Sequence, residues 1–118
     1  MTDLTLQADD LTSQVFDHHL GAFAKGLDEL LKDYDERSVL VTPGKTYRGL
    51  SEIRAFFKTF LDSAEPAFWT AFKVTSKSTE REVAYLAWEA KPWVPMATDT
   101  LFVRNGKISV QTFTAFSS

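Results

Sequence analysis

The chain reads as an α+β domain, a cone in which a strongly curved antiparallel sheet wraps around three N-terminal helices. Three observations predict it. Large apolar residues recur at the helical period through the first half of the sequence. Four runs rich in β-branched and aromatic residues fill the second half. Asn105-Gly106, the strongest short hairpin signal, joins the last two of those runs. Helices followed by strands segregate into two layers, and four long strands closing over only three helices must bend. With 118 residues, one domain over positions 1–118 is expected, large enough to bury a core without cross-links.

From about Asp10 to Lys25, the residues Phe16, Leu20, Phe23 and Leu27 keep to one face of a helix or run just past its end. Gly26 interrupts as a terminator, and Leu27, Leu30, Leu31 and Tyr34 restart the pattern as a short second helix with acids on its outer side. Ser38 to Thr42 reads as a strand, Pro43-Gly44 as a turn, and Thr46-Tyr47 as a short return. Ser51 is the expected N-cap of a third helix, with Glu52 near its positive end and Ile53, Phe56, Phe57, Phe60 and Leu61 as its apolar stripe. The strands are expected at Ala67–Ser76, Glu82–Lys91, Ala97–Arg104 and Lys107–Phe116. Two prolines in Lys91-Pro92-Trp93-Val94-Pro95 remove ladder donors, which reads as an exposed crossover near the rim of the cone.

Composition narrows the function classes. There is no cysteine, so disulfides and thiolate zinc sites are excluded. A net charge of −3 with singly scattered basic residues argues against nucleic acid. No apolar run approaches the roughly 20 residues of a membrane span, and no cationic-then-apolar leader opens the chain, so a soluble, cytoplasmic protein is expected. Met1 to Thr5 is expected to fray. The glycines are isolated, without a phosphate-cradling loop, and no cofactor is expected.

Ala22-Phe23-Ala24-Lys25-Gly26, Asp33-Tyr34 with Ser38-Val39-Leu40-Val41-Thr42-Pro43, Tyr47 with Gly49, Ile53 and Phe56-Phe57, and the closing Asp99-Thr100, Phe102-Val103 and Asn105-Gly106-Lys107-Ile108 occur in this order. Over roughly Thr12 to Phe116 the chain thereby resembles the nuclear transport factor 2-like superfamily, and within it the SnoaL-like domains. That resemblance implies a cystatin-like α+β roll, a cavity between helices and sheet, and a homodimer through the sheet. It implies no single activity, because ketosteroid isomerases, polyketide cyclases, epoxide hydrolases, dehydratases, ligand binders and transport adaptors share the scaffold. The carboxylate base of the isomerases would fall at Thr42, whose hydroxyl abstracts no carbon-bound proton unaided. Their tyrosine falls near His19. Their acidic oxyanion donor is matched by Asp99, and the resemblance places Gln111 and Phe113 beside it as pocket-lining residues, with a hydrogen-bonded Asp99/Gln111 pair.

The candidate catalytic residues are therefore Asp99, as acid or oxyanion donor, and His19 as its helper; the candidate ligand-binding residues are Phe23, Trp88, Gln111 and Phe113. Strand alternation groups Asp99 with Ala97, Leu101 and Val103, company in which a carboxylate must be neutral, paired or near water. The competing reading pairs it with Arg48 or Lys91 at a strand end. His18 and His19 point about 100° apart on their helix, so they do not share a metal, and no metal site is expected; His18, away from the stripe, is expected in solvent. On its strand, Ala84, Leu86, Trp88 and Ala90 share one face, and turning Glu89 outward turns Trp88 inward as a flat wall with one N–H donor. Most of the other aromatics are claimed by helix stripes and strand faces as core. Three functions follow: an enzyme acting on a small apolar ring-shaped substrate (an isomerase, cyclase or hydrolase), a binder using the same cavity, or an interaction module using the outer sheet face around Tyr85 and Thr112/Thr114.

Overall fold

The computed structural model describes residues 4–116, with side chains from Asp10 onward. In chain order it comprises α1 (Leu4–Ala22), α2 (Leu27–Leu31), β1 (Val39–Val41), β2 (Thr46–Arg48), α3 (Gly49–Ser63), α4 (Pro66–Ala71), β3 (Phe72–Glu80), β4 (Val83–Ala90), β5 (Val94–Arg104) and β6 (Lys107–Phe116). Of the segment expected to fray, Met1–Asp3 lies outside the described residues, while Leu4 and Thr5 open α1. No helix among the described residues is long and apolar enough to cross a membrane.

The strands form one six-stranded sheet in the order β2-β1-β6-β5-β4-β3. Its four long strands are antiparallel, as expected, but β1 lies parallel to β6 with Leu40 opposite Gln111. That pairing is long-range and needs no hairpin, so no turn signal announces it. Bulges at Val74/Ser76, Trp88/Ala90 and Phe102/Val103 bend the long strands, which is how the sheet closes over the helices. Phe16, Leu30, Leu40, Ile53, Leu101 and Ile108 are fully buried between the layers.

Several elements differ from the sequence reading. Pro66–Ala71 is a short helix rather than the beginning of a strand, and β3 starts at Phe72. Pro66 occupies the first helical turn, where its fixed φ suits a helix start; Phe68 and Trp69 face inward from a helix although their type favours strands. Ser51 is not the N-cap of α3. The N-cap is Arg48, three residues earlier, and the Glu52 carboxylate reaches back to accept the Arg48 backbone N–H at 3.0 Å. Gly49 suits this turn because its φ of 80° lies in the left-handed region that residues with a side chain rarely adopt. After the cis Lys91-Pro92 bond the turn is tighter than a crossover, and Val94 already belongs to β5.

His18 is not left to solvent. Its Nδ1 lies 2.8 Å from both Asp33 carboxylate oxygens and its Nε2 lies 2.6 Å from Glu29. The corner at Gly26, with φ 109°, folds α2 back beside α1 and brings these acids to the imidazole. Accepting from both ring nitrogens, Glu29 and Asp33 raise the His18 pKa above its usual 6.5. The Asp33–Ser38 segment is in turn tied to β6, since Ile108 N–H donates to the Asp33 carbonyl and the Ser38 hydroxyl to the Ile108 carbonyl.

Candidate functional site

Asp99 faces the hollow beside Gln111 and Phe113 because of a register slip. At the Asn105-Gly106 turn, where both residues have positive φ, Arg104 faces Lys107 and Val103 faces Ile108. Past the bulge the pairing shifts by one, so that Phe102 faces Val110 and Asp99 faces Phe113. Directly opposed residues share a face, and without the slip Asp99 would oppose Thr112, with Gln111 and Phe113 on the other side. The bulge therefore assembles Asp99, Gln111 and Phe113 on one surface.

On the neighbouring strand the inward row is the expected one: Ala84, Leu86, Trp88 and Ala90 are all buried. Trp88 Nε1–H donates to Asp99 Oδ1 at 2.9 Å, and Gln111 Nε2–H donates to Asp99 Oδ2 at 2.8 Å. Gln111 Oε1 accepts from the Tyr34 hydroxyl, so a buried chain runs from just past the end of α2 to the carboxylate. Asp99 is 7% exposed and pairs with neither Arg48 nor Lys91. Burial pushes its pKa up from 3.8 to about 6, against the two N–H donors, which favour the charged form.

His19 reaches the same space from α1. Its ring is buried edge-on against Phe23 (5.2 Å between centroids), Tyr34 and Phe57, and its Nδ1 has no hydrogen-bond partner among the described residues. Burial, with His18 adjacent, lowers its pKa to about 3, so the imidazole is neutral. Together with Phe23, Trp88, Gln111 and Phe113, these residues line a cavity of about 410 Å³ that extends to exposed Ala24. All six residues singled out from the sequence thus meet in one hollow. Trp88 and Phe113 stack nearly parallel, 7° apart with centroids at 6.2 Å.

The remaining walls include residues that spacing alone assigns to the core: Phe56, Phe57 and Phe60 from α3, Trp69 from α4, Phe72 and Leu86 from the sheet. Tyr34, which anchors Gln111, likewise reads in the sequence only as part of an apolar stripe. Its hydroxyl is the available signal, because a tyrosine on a buried face needs a partner for that group. Thr42, at the position of the isomerases' base, is far from this chemistry in role: its hydroxyl closes the β1–β2 turn on the Lys45 carbonyl. No Lys or Arg is among the described residues that line the cavity, and no group of three or more His, Asp or Glu is arranged around a metal position among the described residues.

No family model matches the sequence, and no curated protein matches it. Solved structures do match the fold. A nuclear transport factor 2-like protein of unknown function from Burkholderia xenovorans superposes with a TM-score of 0.74 at 19% identity, covering 92% of this chain and 85% of that one. A SnoaL-like protein of unknown function from Burkholderia thailandensis gives 0.70 at 12% identity, covering 92% and 96%. A protein of the SnoaL-like family from Agrobacterium tumefaciens, provisionally named an isomerase, gives 0.66 at 11% identity, covering 92% and 99%. At such identities the likeness concerns architecture, and the chain has the curved-sheet α+β fold of the nuclear transport factor 2-like and SnoaL-like proteins.

Proposed function

We propose that the cone receives a small, largely apolar, ring-bearing molecule, held by the aromatic walls and oriented by Asp99. One observation carries this reading: a nearly buried carboxylate, held by two N–H donors and paired with no cation among the described residues, borders an aromatic hollow of about 410 Å³. A core packed only for stability has little use for such a group, since an apolar residue of the same size avoids its desolvation. At neutral pH the carboxyl, with its pKa near 6, is mainly ionised. It then acts as proton or hydrogen-bond acceptor, and as the acid expected from the sequence only below about 6. In an isomerase, cyclase or hydrolase it would take a proton from the substrate, with neutral His19 as a hydrogen-bonding helper. Naphthylethanol, a neutral bicyclic probe, is expected to raise the melting temperature of the protein in a saturable manner. Absence of any such stabilisation by this probe or by its charged analogues would overturn the reading.

A second reading rests on the outer face of the sheet and concerns assembly. Val83, Phe102 and Val110 form one row across β4, β5 and β6, and Tyr85, Thr100 and Thr112 form the next. Val83, Tyr85 and Val110 are exposed, and neither row carries a charge. A homodimer through this face would cover it. Sedimentation is expected to show a dimer at micromolar concentration that Tyr85→Lys dissociates; a monomer for the wild type would contradict it.

A further inference from the structure

We infer that the cone selects its ligand by charge, taking an organic cation, a ring-bearing protonated amine, in preference to its neutral or anionic counterparts. This rests on the cavity being a ligand site, as proposed above, and adds the ligand's chemical class. The aromatic rings carry negative potential over their faces, and Phe23, Phe56, Phe60, Trp69, Trp88 and Phe113 supply such rings around one hollow. Asp99 is the one carboxylate among the described lining residues, and no Lys or Arg there offsets it. Each Asp99 oxygen already accepts one N–H and retains a second lone pair for a donor on the ligand. An ammonium group has donors only, so it complements that carboxylate. A carboxylate-bearing ligand would meet Asp99 as a like charge with no cation to relieve it.

The test compares naphthylethylamine, naphthylethanol and naphthylpropanoate by calorimetric titration into the wild-type protein at about pH 8, where Asp99 is ionised. The amine is expected to bind at least about tenfold more tightly than the alcohol, since a hydrogen bond to a charged group contributes more than a neutral one, and the propanoate most weakly. In Asp99→Asn the advantage of the amine over the alcohol is expected to shrink below about threefold while the alcohol still binds. Equal affinity of amine and alcohol for the wild type, or preference for the propanoate, would overturn the charge selection and leave the ligand site standing. Failure of all three to bind would overturn both. The wild-type series decides the matter even if the Asp99 variant does not fold.

Discussion

Replacing Asp99 by asparagine is expected to stabilise the protein at neutral pH. The carboxyl is 7% exposed and its pKa is raised from 3.8 to about 6, chiefly by burial. Such a group weakens the fold as it ionises: its native pKa exceeds the unfolded one, so stability is greatest below about 4 and falls until the pH passes about 6. The difference amounts to about 3 kcal/mol, a large share of an ordinary domain's stability. The amide of the Asp99→Asn variant removes this cost without breaking the buried chain. Its carbonyl oxygen would accept from Trp88 and its NH₂ would donate to Gln111, whose own amide turns over and donates to the Tyr34 hydroxyl. His19 and Tyr34 also face this region, but both remain in the variant and their titration largely cancels in the comparison. Urea denaturation of both proteins from about pH 4 to about pH 8 measures the effect. The variant should be more stable by about 1–3 kcal/mol at the upper end, with the gap closing toward the lower. A variant less stable at neutral pH, or a gap independent of pH, would refute the reasoning. Stability given up at one buried carboxylate is what the proposed ligand site predicts of Asp99.

Other predictions concern the same network and its surroundings. Trp88→Phe removes the donor to Asp99 Oδ1, so the Asp99 pKa should rise above 6 in a carbon-detected NMR titration; an unchanged value would show that this hydrogen bond does not favour the ionised form. His18→Gln should lose roughly 1 kcal/mol of stability, discounted for the partial exposure of the ring. Because the native His18 pKa is raised above 6.5, that loss should be full below 6.5 and vanish as the pH rises through the native value, visible in chemical denaturation; a loss that grows with pH would contradict the pairing. Amine binding in the cone should weaken as the pH falls through about 6, when Asp99 is protonated, whereas alcohol binding should change little.

Much of this architecture is legible in the sequence, for reasons that also mark where reading fails. The stripe Ile53, Phe56, Phe57, Phe60 announces α3 because a period of 3.6 admits one solution. Its N-terminus is misplaced by the sequence reading because Glu52, not Ser51, performs the capping, and both residues suit that task by type. Phe68 and Trp69 suggest a strand because aromatics favour one, while the proline before them fixes a helix. Strand alternation puts Trp88 and Asp99 inward from local information alone. Gln111 and Phe113 come from family resemblance, since their shared face depends on a bulge that no residue pattern at Phe102/Val103 discloses. The partners of His18 lie across the Gly26 corner, and the angle of such a corner is a tertiary property.

The most direct test of the central claim follows side-chain N–H signals by ¹⁵N-edited NMR while naphthylethylamine is added to the ¹⁵N-labelled protein. The indole N–H of Trp88 and the amide of Gln111, both bonded to Asp99, should shift together and saturably, while the indole of exposed Trp93 stays in place. Shifts confined to Trp93 or to the outer sheet face around Tyr85, with Trp88 and Gln111 unmoved, would contradict a ligand site inside the cone.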